Sequence, residues 1–199
     1  MDIDSLLHPI ESFGATPLAG RLLVADPLLR DGFFDRTVAL LLQRDSRMGY
    51  FGLVLNKRTP YTLCDLLPDW DAGRNIRLYS GGPVEPDRLF MLHRLPDVLS
   101  DSVEVMNGLF VGGKLDNIVE YVESGNQIDG YVRLFLGYSG WSAGQLEREI
   151  ARNSWACRTL PEVDTLLKGS GQPYWRREVK RLGPDYRSWL LMPADPSMN

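Results

Sequence analysis

Ser139 is the side chain whose neighbours best suit it to nucleophilic chemistry. It lies in Gly137-Tyr138-Ser139-Gly140-Trp141, between a β-like run and an amphipathic stretch. The pattern approaches the G-x-S-x-G elbow that presents a hydrolase serine between a strand and a helix. Two features count against acyl transfer. Trp141 stands where the motif wants its last glycine, and a serine nucleophile needs a base. The chain has two histidines, His8 in the N-terminal lead-in and His93 beside Arg94 after an apolar run. A small hydrolase or transferase using the Gly137–Gly144 turn is therefore the alternative reading, and no catalytic residue is assigned.

Phosphate chemistry has a weaker claim. Gly108 to Lys114 matches the first seven positions of G-x-x-x-x-G-K-[ST], but Leu115 stands where a hydroxyl must bind Mg²⁺. Leu109, Phe110 and Val111 read as a buried strand, followed by a Gly-Gly turn and a helix start. Metal chemistry has no H-E-x-x-H, C-x-x-C or EF-hand spacing to rest on, so neither a metal site nor a cofactor is expected. Cys64 and Cys157 are far apart in sequence and read as two buried thiols. Arg176, Arg177, Lys180 and Arg181 cluster beside Trp175, but at helical spacing they centre opposite Trp175, Val179 and Leu182. That is the solvated face of an amphipathic helix.

The glycine-rich turn offers one further possibility, recognition without catalysis. Gly137, Gly140 and Gly144 permit close backbone approach, and a helix start offers free N–H groups. Ser142 and Gln145 have capping-box spacing, while Glu147 and Glu149 would repel an anion. With a strand ending at Gly137 and a helix beginning near Ala143, Tyr138, Trp141, Gln145 and Glu149 surround one turn. Gln145 and Glu149, four apart, share a helix face. Asn56 and the Gly81-Gly82-Pro83 loop complete this candidate binding surface. The competing reading has Gln145 completing a cap and Glu149 in solvent, so that either alanine variant costs under about 1 kcal/mol.

The elements that position these residues are short. β-like runs occupy 21–25, 37–43, 50–56, 76–79, 88–93, 102–106 and 130–137. The polar RDSRMG between the second and third predicts a hairpin. Thr62 can cap a short helix, LCDLLP. Leu115, Ile118, Val119 and Val122 fall at helical spacing and Gly125 can end that helix. A helix follows Ser142 and stops near Asn153. Another short one starts at Pro161-Glu162 and closes at Gly169, and the last is YWRREVKRL. Connections are mostly too short for parallel crossovers, which favours an α+β single domain with largely antiparallel pairing.

Composition bounds the rest. The 199 residues suit one domain, which at this size buries about 70% of its unfolded surface. No run approaches the roughly 18 apolar residues of a membrane span, and acidic residues occupy the N-terminus where a secretory signal carries positive charge. A cytoplasmic location without membrane association is expected. The 22 basic and 26 acidic residues give a net charge of −4, which counts against non-specific nucleic-acid binding. Nor does any stretch resemble a helix-turn-helix, ribbon-helix arm or zinc finger.

Taken in order, Pro27, Phe34, Arg36, the GLVLN run ending at Asn56, Gly81-Gly82-Pro83, Asp116 and GYSGWSAGQLE from Gly137 to Glu147 resemble the bacterial YqgE/AlgH family. Glu149, Trp155 and Trp175 extend the match, which covers roughly residues 17–192. The resemblance implies an α+β fold with a strongly bent sheet flanked by several helices. It leaves 1–16 as an N-terminal lead-in, absent from shorter relatives, and 193–199 as a tail. Members often carry a transcriptional-regulator label that names no mechanism. Together with the charge, it implies an indirect regulator working through an unknown protein or small-molecule partner, with direct nucleic-acid binding not expected and oligomeric state open.

Overall fold

A computed structural model describes residues 20–29, 31–45, 49–160 and 162–193. The lead-in with His8, residues 46–48 of the predicted hairpin turn, Pro161 and the tail beyond Pro193 lie outside the described residues. Among the described residues ten strands form one strongly curled sheet, in which β1 (Arg21–Ala25), β2 (Val38–Asp45), β3 (Gly49–Val54) and β10 (Trp155–Thr159) make one wing. The second wing contains β4 (Arg58–Thr62), β5 (Arg77–Ser80), β6 (Val84–His93), β7 (Ser102–Met106) and β8 (Leu109–Gly112). The long β9 (Val132–Trp141) belongs to both: its first half pairs with β5 and β6, its last residues with β3. Every pairing is antiparallel except β5 with β9. Helices α1 (Leu115–Glu123), α2 (Gln145–Ala151), α3 (Val163–Leu166) and α4 (Gly171–Leu182) pack around the sheet.

Both faces of the sheet are covered, so neighbouring residues on a strand feed different cores. Leu22, Val24, Val38 and Leu40 face inward with Phe135 and α4's Trp175 and Val179. Leu23, Ala25, Ala39 and Leu41 face outward beneath Leu146 of α2 and Trp155. A third core lies under α1, joining Leu115 and Ile118 to Met91, Val132 and Leu134. This is the period-two alternation of a pleated strand, here with apolar residues on both sides. It also explains why β1 and β2 read as continuous apolar runs.

The structure corrects the sequence expectation at the glycine-rich segment. The strand does not end at Gly137; it continues to Trp141, and α2 starts at Gln145 after Gly144 in the left-handed region, φ +76°. Gly137, at φ +68°, kinks β9 where its pairing with β6 becomes irregular. Val84 pairs with Tyr138 and Leu89 with Leu136, so residues 85–88 of β6 stand opposite Gly137 alone. The kink at Gly137 reverses the alternation along β9. Phe135 and Tyr138 consequently share the inner core, while Trp141 reaches the outer one. β4 and β10 were not anticipated. β4 carries Pro60, which a strand tolerates at a sheet edge, and among the described residues β4 pairs only with β5.

Candidate functional site

The predicted recognition residues fall into three separate groups. In the first, the Gly81-Gly82 loop crosses β9 at Gly137, backbone to backbone. Gly81 N donates to Leu136 O and Gly81 O accepts from Val54 N, both at 2.8 Å. A Cβ on Gly82 would overlap the carbonyl of Tyr138, and one on Gly81 the carbonyl of Gly137. These glycines are required by the approach of two chains. Pro83 beside them is exposed. Tyr138 lies half-buried on the inner face against Phe51 and Phe90, with ring centroids 4.8 and 5.9 Å away. Burial and the nearby Glu85 push its hydroxyl pKa up.

The second group lies on the opposite face. Glu149 accepts from Trp141 Nε1 at 3.0 Å, Trp155 Nε1 at 2.8 Å and Gln145 Nε2 at 2.9 Å. Phe34 stacks on Trp141 and meets Trp155 edge-on. Trp141 and Trp155 are 2% and 3% exposed, so their rings offer no surface and the carboxylate serves as an anchor for two buried indoles. Gln145 also accepts from Ser142 N at 3.0 Å, but the N-cap of α2 is Gly144, so the bond tightens the turn before the helix and is not a capping box. Tyr138 and Trp141, placed around one turn by the sequence reading, face different cores.

Asn56 is the third group, 2% exposed and fully occupied. Its Oδ1 accepts from Val38 N, and its Nδ2 donates to Arg36 O and to Gly171 O. It therefore ties β2 to the start of α4. Arg36 bonds Met192 O through Nη2 at 3.0 Å and lies over Trp175, whose Nε1 donates to Ala25 O at 2.9 Å.

The catalytic alternative has poor geometry. Ser139 is wholly buried in mid-strand and its Oγ donates to Gly81 O at 3.0 Å. His93 is also wholly buried, at the far end of β6, where it pairs with Val132. Seven residue steps of β9 separate Val132 from Ser139, about 20 Å of strand. Burial lowers the His93 pKa to about 4, while Nδ1 accepts from Leu95 N at 3.2 Å and the ring stacks on Phe110. The P-loop lookalike is strand β8 running into α1: Leu109 and Val111 are buried, and Lys114 Nζ lies 2.9 Å from Asp101. Cys64 and Cys157 are free and half-buried. Among the described residues no three His, Cys, Asp or Glu side chains converge on a possible metal site, and no helix is long and apolar enough to cross a membrane.

Two buried charges escaped the sequence reading. Glu178, fully buried in α4, receives Arg158 at 2.9 Å, Arg177 at 2.8 Å and Arg181 at 3.0 Å. The supposedly solvated arginines 177 and 181 thus neutralise a core carboxylate. Glu178 sits one residue before the core-facing Val179, and that helical position was the available signal. Arg133, 3% exposed, donates to the carbonyls of Leu55, Leu167 and Gly169 and lies over the Tyr79 ring. Its alternation on β9 marked it as inward-facing.

The accessible feature beside the kink at Gly137 is a groove of about 480 Å³. Leu78 of β5 and Leu136 of β9 line its floor. Tyr61, Asp65 and Leu66 form one wall, and Pro86 and Asp87, in the part of β6 facing the kink, the other. Its volume is in the range of ligand-binding clefts.

Comparison with known proteins places these residues in context. The family model described as AlgH-like matches residues 22–187. The UPF0301 protein of Parabacteroides distasonis is 40% identical over 184 residues, covering 92% of each chain. That of Bacteroides thetaiotaomicron is 37% identical over 199 residues, covering 100% of both. Among solved structures, the AlgH protein of Pseudomonas aeruginosa superimposes with a TM-score of 0.69 at 26% identity, covering 92% of this chain and 98% of its own. A Corynebacterium diphtheriae protein gives 0.66 at 23% identity, covering 89% and 93%, which speaks to the fold alone.

Proposed function

The chain belongs to the AlgH-like family, and on that footing we propose that it is a non-enzymatic cytoplasmic binding module that regulates gene expression indirectly, through a partner. One observation carries this reading: the serine that resembles a nucleophile spends its hydroxyl on Gly81 O inside the core, remote from His93. A nucleophile must reach substrate and a base together. The polar groups of the family pattern are likewise engaged internally, Asn56 with three backbone groups and Glu149 with two indoles. The glycines hold the curl of the sheet, and recognition falls to the exposed surface that this curl shapes. The net charge of −4 supports a partner other than nucleic acid.

Two measurements test the reading. Wild type and Ser139→Ala are assayed against acyl and phosphoryl ester substrates, and turnover above background that the substitution abolishes overturns it. Anisotropy titration of the wild type with genomic fragments at physiological salt tests the regulatory route. The reading predicts weak, sequence-independent association. Submicromolar, sequence-dependent binding makes the protein a direct regulator instead.

A further inference from the structure

We propose that the groove between β4 and the irregular stretch of β6 receives a segment of a partner protein carrying lysine or arginine next to an aliphatic side chain. The proposal rests on the binding reading above and gives that reading a site and a partner chemistry. Strand order creates the groove. In the run β4-β5-β9-β6, the middle pair contributes Leu78 and Leu136 to the floor, and the outer pair rises as walls. Helix α1 covers Val132 and Leu134 on this face, but Leu136, two residues further along β9, stays partly exposed. Opposite Gly137, residues 85–87 of β6 are exposed, which leaves the end of the apolar face open.

The groove is negative on both sides. Asp87 on the β6 wall has no ion-pair partner among the described residues, whereas its neighbour Glu85 is paired with Arg88 at 2.9 Å. Asp65 on the β4 wall accepts from Thr62 N at 2.7 Å, a bond that favours its charged form, and it remains exposed. The nearest cation of β4 is turned away: Arg58 lies over the Tyr79 ring, on the other face of the sheet from Leu78. An apolar floor between two carboxylates complements an aliphatic stem with a cationic head. Tyr61 is 53% exposed, so its ring is available to a cation.

The same exposure favours a polypeptide over a small molecule. Small-ligand sites typically enclose about 70–90% of their occupant. Here Tyr61, Asp65, Pro86 and Asp87 all stand open to solvent, and β4 is an edge strand. An extended segment lying along two parallel floor strands would contact both walls at once.

The test is selection of a displayed random 12-residue peptide library on the full chain, followed by titration of synthetic versions of the enriched peptides. The proposal predicts enrichment of lysine or arginine flanked by Leu, Ile, Val or Met. It also predicts NMR shifts confined to residues 61–66, 78, 86–87 and 136. Asp87→Lys should weaken binding at least tenfold and Tyr61→Ala at least threefold. Among the described residues neither side chain makes a hydrogen bond, so both variants should keep the wild-type melting temperature. Three results overturn it: no enrichment, enrichment of acidic or uncharged peptides, or affinity unchanged in both variants. So does equal competition by N-acetyl-arginine amide at the same concentration, which would make the occupant a small cation. Peptides that bind elsewhere on the chain sink this proposal but leave the binding reading intact, whereas Ser139-dependent turnover removes that reading itself.

Discussion

At the scale of single residues, polar groups that looked chemical prove to be fasteners. The sequence reading placed Glu149 on a candidate recognition surface, with solvent exposure as the competing reading and a cost under about 1 kcal/mol for its alanine variant. The structure revises this, because its removal strands the N–H groups of Trp141 and Trp155 in the core. Glu149→Ala should cost about 2–3 kcal/mol in urea denaturation, while Gln145→Ala, on the half-exposed side of the same network, stays under about 1 kcal/mol. Equal losses for the two variants would show that the indoles find other acceptors. His93 yields a prediction in pH. Burial lowers its pKa from 6.5 to about 4, so the folded state holds it neutral where the unfolded chain takes up a proton. Its contribution is complete above about pH 6.5 and is lost as pH falls towards 4, up to about 3 kcal/mol. His93→Gln should flatten the stability curve between pH 7 and 4. Parallel curves for variant and wild type would place the acid sensitivity elsewhere.

At the scale of elements, β9 decides the architecture, because one strand serves two wings and reverses its alternation at Gly137. The kink depends on the Gly81-Gly82 crossing, where no Cβ fits. Gly82→Ala should therefore destabilise by more than about 4 kcal/mol or prevent folding, since backbone cannot yield as a flexible side chain does. Gly108→Ala is the control. It lies at positive φ, +77°, which Gly82 does not, but it has open space around it and should cost only about 1 kcal/mol. If the two variants melt alike, the crossing is looser than described. Much of this was legible in the sequence. Apolar runs located β1, β2, β3, β5 and β7, helical spacing located α1 and α4, and the glycine pattern marked where chains must approach. β10 was not legible, since Trp155-Ala156-Cys157-Arg158-Thr159 follows directly on a helix stop with little apolar alternation. Nor was the continuation of β9 past Gly137, because a glycine at positive φ serves a turn and a kinked strand equally. The family itself was correctly recognised, but the roles of the residues that carried the resemblance depend on which face each one occupies, and the kink in β9 changes the face.

At the scale of the whole molecule, a curled sheet with both faces covered leaves its chemistry-bearing side chains inside and a negatively flanked groove outside. On the proposed reading, this protein acts through what it binds, and the glycine-rich segment is architecture. The most direct measurement is complementation of a deletion strain by Ser139→Ala, with folding verified by NMR. The substitution removes one internal hydrogen bond, worth about 1 kcal/mol, and any nucleophile. Full complementation by the folded variant is the predicted result; a folded Ser139→Ala protein that fails to complement would contradict the account.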